Sequence, residues 1–86
     1  MSSISTTIRS VIATHGQLMS DISGLKDSDD LYENGMTSHA TVNVMLALED
    51  TFDVEFPDAV LRRTSFQSIG TIQQLLESIG VQEPPE

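Results

Sequence analysis

Three stretches of this chain repeat an apolar residue every three or four positions, and no stretch of useful length alternates apolar with polar. That spacing lines up side chains on one face of a helix; a half-buried strand needs a period of two. The chain is thereby confined to an all-α architecture. Ile4, Ile8, Val11 and Ile12 mark a first helix from about Ser5 to Thr14, with Ser2, Ser3 and Ser5 as candidate caps and Gly16 as the stop. Thr41, Val44, Met45, Leu48 and Phe52 mark the core stripe of a second helix, from about Ser38 to Phe52. Ile69, Ile72, Leu75, Leu76 and Ile79 mark the last, from about Ile69 to Ile79, ended by Gly80. Arg9 and His15 fall off the first stripe, and His15 suits a helix C-terminus as a partner of the dipole.

Between these helices the chain punctuates itself. Residues 17 to 37 are rich in Ser, Asp and Gly, with apolar anchors at Leu18, Met19, Ile22, Leu25, Leu31, Tyr32 and Met36. A connection longer than about 12–15 residues is functional or disordered in most compact domains, and the anchors argue for order. Asp27, Asp29, Asp30 and Glu33 resemble a calcium loop, but no glycine or glutamate stands at the required positions, so a solvated acidic loop is the better reading. After the second helix, Pro57 biases Phe56 toward an extended conformation. Asp58 is placed to cap a short helix from Ala59 to about Arg62, and Arg62-Arg63, the only basic pair, reads as a surface pair at its end. The expected organisation is one helical domain over residues 1–80: a small bundle of three longer helices and one short one with a long first loop. A disordered acidic tail is expected over 81–86.

Size and charge narrow the function. At 86 residues the chain is one domain. Such a domain buries only roughly 60–65% of its unfolded surface, which leaves few residues to wall an active-site cleft. Four Lys+Arg against thirteen Asp+Glu give a net charge of −9. That surface repels nucleic acid and anionic membranes and favours partners with basic patches. With no cysteine there is no disulfide framework and no thiolate, and the lack of cysteine with only two histidines argues against a structural zinc site. No apolar run approaches the ~20 residues of a membrane span, and Met1 to Thr7 lacks a basic-then-apolar signal, so a cytoplasmic protein is expected.

The residue that carries chemistry is Ser38. Asn34-Gly35 supplies a turn, and Thr37 or Ser38 can cap the helix behind it. Three roles compete for Ser38: a plain cap, a nucleophile, or a tether for a prosthetic group. As a nucleophile it lacks support, because His39 points about 100° away along a helix and no orienting acid is evident. As a tether it has a rationale. A phosphodiester at a helix N-terminus meets unpaired amides and the positive end of the dipole, and a long arm can bring the thiol the chain lacks. On physics alone the cap ranks first. Val42, Leu46 and Glu49 share the face of Ser38, rotated very roughly 80–100° from the core stripe, unless one wide stripe includes both.

Tyr32-Glu33-Asn34-Gly35-Met36-Thr37-Ser38, Leu46-Ala47-Leu48-Glu49-Asp50 and the acid-rich Phe52 to Asp58 resemble the acyl carrier protein family, over about residues 4 to 79. The resemblance implies a carrier that is not an enzyme. It would bear 4′-phosphopantetheine on Ser38, transferred from coenzyme A by a magnesium-dependent phosphopantetheinyl transferase and holding cargo as a thioester. It also implies partner contacts through Thr37, His39, Val42, Leu46, Glu49, Asp50 and Glu55, no catalytic or metal site, and a monomer. Thr37-Ser38-His39 replaces the family's usual Asp-Ser-Leu, and Asn43 stands where an acid is usual. These departures point to a specialised bacterial subgroup, loaded with a small amino acid by ligases resembling aminoacyl-tRNA synthetases. Downstream acyl-transfer enzymes with basic surfaces would take the cargo. The competing expectation is an unmodified acidic module that docks a partner helix on the same apolar face.

Overall fold

The structure is a computed structural model, and it describes residues 3–19 and 21–81. Three α-helices carry the fold: α1, Ser3–His15; α2, Ser38–Phe52; and α3, Ile69–Ser78. Short 3₁₀ turns at Ile22–Gly24, Asp58–Val60 and Arg63–Phe66 punctuate the connections, and there is no strand among the described residues. Helix α1 packs against both α2 and α3. Its Ile4, Ile8 and Ile12 meet Ala40, Val44 and Leu48 of α2 and Ile69, Ile72 and Leu76 of α3 in one core. Leu31 and Met36 enter that core from the first loop. Phe56 and Phe66 enter from the second connection, edge to face at 5.8 Å between ring centroids.

The core stripe of α2 is rotated from the one its periodicity suggests. Ala40, Val44 and Leu48 are fully buried, whereas Thr41, Met45 and Phe52 are only half-buried. Small Ala40 lets α2 approach its neighbours at that position, which carries the buried line away from Thr41. Val42 and Leu46 stay outside at 49% and 52% exposure, so no single wide stripe absorbs them.

The loop over residues 17–37 is ordered by its own polar groups. Arg9, off the apolar stripe of α1, reaches the carbonyls of Ile22 and Leu25 at 3.1 and 2.8 Å and the carboxylate of Asp27 at 2.7 Å. Asp30 accepts from the amides of Tyr32 and Glu33 and from the side chain of Gln67. Asp29 accepts from the amide of Lys26. Three of the four acids that resembled a calcium loop, Asp27, Asp29 and Asp30, are structural acceptors.

Three local expectations are corrected. In place of the short helix expected from Ala59 to Arg62 there is a 3₁₀ turn at Asp58–Val60, with a second beyond it at Arg63–Phe66, and Pro57, not Asp58, occupies the first turn's cap position without a side-chain hydrogen bond. Gly16 ends α1, but the left-handed residue is Gln17; a Cβ on Gly16 would lie 2.8 Å from the Ile12 carbonyl oxygen. At the chain's other end, Val81 is half-buried. Its amide bonds the Leu76 carbonyl while Gly80, at φ +106°, bonds Glu77, a Schellman closure of α3. Residues 82–86, the rest of the expected tail, lie outside the described residues.

Candidate functional site: the start of helix α2

The segment leading into α2 is a turn that only glycine completes. The amide of Met36 returns to the Leu31 carbonyl at 3.0 Å, and that of Gly35 to Tyr32 at 3.2 Å. Gly35 has φ +109°, and a Cβ there would collide with the Met19 side chain and amide at 2.7 and 2.9 Å. Asn34 ties the same turn down, its side-chain amide donating to the Asp30 carbonyl. Thr37 then becomes the N-cap. Its hydroxyl oxygen accepts from the amide of Ala40 at 3.0 Å, and its carbonyl accepts from both the amide and the hydroxyl of Thr41.

With the cap position filled by Thr37, Ser38 is the first helical residue and its hydroxyl is released from capping. It is exposed, with no hydrogen-bond partner among the described residues. The amides of Ser38 and His39 are likewise unpaired there, at the positive end of the α2 dipole. An anionic substituent on Ser38 suits this setting, where it would meet unpaired first-turn amides. The observed geometry therefore fits a phosphopantetheine attached at this hydroxyl.

Beside Ser38 lies a cleft of about 220 Å³. One wall is α2, through Ser38, Thr41, Val42 and Met45; the other is Leu61, Arg62, Arg63 and Phe66 of the second connection, with Tyr32 from the first loop. Arg63 stacks over the Tyr32 ring, its guanidinium carbon 4.2 Å from the centroid, and the Tyr32 hydroxyl donates to the Arg63 carbonyl at 2.7 Å. Sequence reasoning did not find this cleft. Its one available signal was a basic pair in a chain of net charge −9.

Of the residues expected to meet partners, His39, Val42, Leu46 and Asp50 run down one exposed side of α2, and Glu55 is exposed beyond its end. Thr37 is exposed but committed to the cap. Glu49 differs from the rest. It is half-buried, and its Oε2 accepts from the amide of Phe56 at 2.8 Å, latching the turn after α2. That turn is closed by Asp53, left-handed at φ 54°.

Fold and site together describe a scaffold that presents one exposed hydroxyl at a helix start. Residues 6–79 match the family described as "Phosphopantetheine attachment site". An aminoacyl carrier protein of Agrobacterium fabrum is 44% identical over 73 residues, covering 85% of this chain and 88% of the relative. Among solved structures, similarity extends to the complex of an engineered Bradyrhizobium japonicum glycine:[carrier protein] ligase with a carrier protein from Agrobacterium tumefaciens and ATP. There the TM-score is 0.86 at 42% identity, over 88% of this chain and 99% of that one. The Bradyrhizobium japonicum ligase complexed with glycylated carrier protein gives a TM-score of 0.72 at 26% identity, over 84% of this chain and 96% of that one. The chain belongs to the phosphopantetheine attachment site family. Its function is that of a carrier protein, and phosphopantetheine is its covalently attached cofactor. No helix among the described residues is long and apolar enough to cross a membrane.

Proposed function

We propose that Ser38 is the attachment residue and that this carrier holds an aminoacyl thioester, loaded by a ligase of the amino acid:carrier protein kind. The observation that carries the assignment is the capping of α2 by Thr37, which leaves the Ser38 hydroxyl exposed and without a partner among the described residues. In the attachment step Ser38 Oγ bonds to the β-phosphorus of coenzyme A. The pyrophosphate link breaks, 3′,5′-ADP leaves, and the serine proton passes to the transferase. When bound, the group supplies a terminal thiol on a flexible arm, the one nucleophile that a cysteine-free chain cannot provide. The chain's own residues orient and present; catalysis belongs to its partners. Coenzyme A and ATP meet in the cytoplasm, and the proposal places the protein there, as a monomer.

The cargo assignment has two supports. The relatives just described include an aminoacyl carrier protein and a glycylated carrier protein. The cleft beside Ser38, at about 220 Å³, is small, and an amino acid at the end of the arm needs no cavity of its own. A ligase would meet the exposed side of α2 formed by His39, Val42, Leu46 and Asp50, its basic surface drawn by the acidic chain. The test is intact mass after incubation with coenzyme A, magnesium and a promiscuous transferase. The wild type gains one arm and Ser38→Ala gains none; an arm on Ser38→Ala overturns the assignment. Loading of the arm-bearing protein with glycine or alanine, ATP and such a ligase tests the cargo. Failure with every amino acid, beside ready transfer of fatty acyl groups, reverses that part.

A further inference from the structure

Thr37 and Ser38 can each accept a hydrogen bond from a first-turn amide, so the residues at the cap leave two registers open. In one, Thr37 caps α2 and the Ser38 hydroxyl is free. In the other, Ser38 caps, and its hydroxyl turns to the amide of Thr41. The structure takes the first. What selects it lies upstream, in the length of chain between a fixed point and the cap.

That fixed point is Asp30. Its Oδ1 accepts from the amides of Tyr32 and Glu33 at 2.8 and 3.2 Å, a local turn built by the side chain. Its carbonyl accepts from the side chain of Asn34 at 2.7 Å. Its Oδ2 accepts from the side chain of Gln67 at 3.0 Å, and the neighbouring Leu31 amide donates to the Gln67 carbonyl at 2.7 Å. Gln67 stands between Phe66 and Ser68, both buried, so its backbone has little freedom to move. Beyond the turn, the amides of Asn34 and Met36 return to the Leu31 carbonyl, and the Met36 side chain enters the core. Little slack remains between Asp30 and Met36, and the next residue, Thr37, falls at the cap.

We infer that Asp30 is a positioning residue for attachment of the arm: it sets the register that gives the cap to Thr37 and leaves the Ser38 hydroxyl free. The inference rests on Ser38 bearing the arm. Without the carboxylate, two turn amides lose their acceptor and the side-chain link to Gln67 is cut. The segment ahead of α2 then has room to slip by one residue, and the register with Ser38 as cap becomes populated. A transferase that engages only the free hydroxyl meets a lowered population of competent carrier. Its apparent affinity falls by that fraction, while turnover of the bound complex is unchanged. The acceptor oxygens carry this role, not the charge. An asparagine offers Oδ1 to the same two amides, and its amino group donates to a Gln67 side chain turned over to present its oxygen.

The experiment follows attachment on the full-length chain by intact mass, with coenzyme A, magnesium and a promiscuous transferase, at a temperature where the apo variants give folded amide spectra. A wild type that gains no arm overturns this inference together with the attachment reading beneath it. With wild-type attachment in hand, Asp30→Ala should raise the apparent KM for the carrier about tenfold and leave kcat unchanged. The amide of Ala40 should exchange faster with solvent in the same variant, as Thr37 gives up the cap. Asp30→Asn should restore both. Where Asp30→Ala does not fold, Asn34→Ala, which removes one bond to the same node, should shift KM in the same direction. Wild-type kinetics in the folded alanine variant, a loss confined to kcat, or an Asp30→Asn protein as slow as Asp30→Ala overturns the positioning role and leaves attachment at Ser38 standing.

Discussion

Helices α2 and α3 both begin at a serine and differ in what they do with it. Ser68 is the N-cap of α3. It is buried, its hydroxyl accepts from the Thr71 amide at 3.1 Å, and the Thr71 hydroxyl accepts from the Ser68 amide at 3.0 Å, a reciprocal box. Ser38 stands one residue further in, because Thr37 has taken the cap of α2. The apolar faces differ in the same sense. On α3, Ile69, Ile72, Leu75 and Leu76 are all buried, while α2 buries Ala40, Val44 and Leu48 and leaves Val42 and Leu46 outside. Helix α3 is committed wholly to the fold. Helix α2 divides its residues between the fold and the outside, and the division begins with a one-residue shift in register at its start.

The sharpest way to break this comparison is to exchange the fates of the two serines. Ser38→Ala should abolish attachment of the arm, read by intact mass. It should leave unfolding free energy within about 0.5 kcal/mol of wild type, as for an exposed side chain with no structural partner. Ser68→Ala should do the reverse, keeping the arm and losing stability. Next in size is the contrast between the two faces of α2. Leu48→Ala, at a fully buried site, should cost about 2–5 kcal/mol in urea denaturation. Leu46→Ala should cost clearly less and show its effect on ligase affinity instead; equal stability costs would mean α2 has one face.

Smaller again are the caps. Thr37→Ala and Ser68→Ala should each cost about 0.5–2 kcal/mol by the same measurement, with the larger loss at Ser68, where two bonds are reciprocal. The smallest effect is at Asp21, which caps the first 3₁₀ turn. Hydrogen bonds from the amide and side chain of Ser23 hold its carboxyl below the ordinary value of 3.8. A depressed folded pKa contributes stability that is present above the unfolded value and disappears as pH falls through the folded one. An NMR titration of the Asp21 carboxyl should find its midpoint below that of an unstructured aspartate.

What could be read in advance was what depends on local spacing. Helix α2 runs over the residues its pattern indicates, and α3 ends one residue short of the expected Ile79. Helix α1 extends a residue or two beyond expectation at each end, since helix ends are set by caps more than by the apolar repeat. The choice between Thr37 and Ser38 as cap stayed open because both side chains are chemically able to accept from a first-turn amide. What was hidden depends on long-range partners. Arg9 looked like a solvent residue because the carbonyls it binds, at Ile22 and Leu25, lie 13 and 16 residues away. Arg62 and Arg63 looked like a helix-end pair because the Tyr32 that holds Arg63 is 31 residues back in the chain. Glu49 looked like surface acid because nothing in its own helix announces that Phe56 will donate to it.

Glu49 has a consequence for how such a chain can vary. Its oxygen holds the corner after α2 as an acceptor, and an amide oxygen accepts a backbone hydrogen bond too. A glutamine there would keep the corner and remove one unit of negative charge. Attraction for basic partners can therefore be retuned at this position while the backbone path stays as it is.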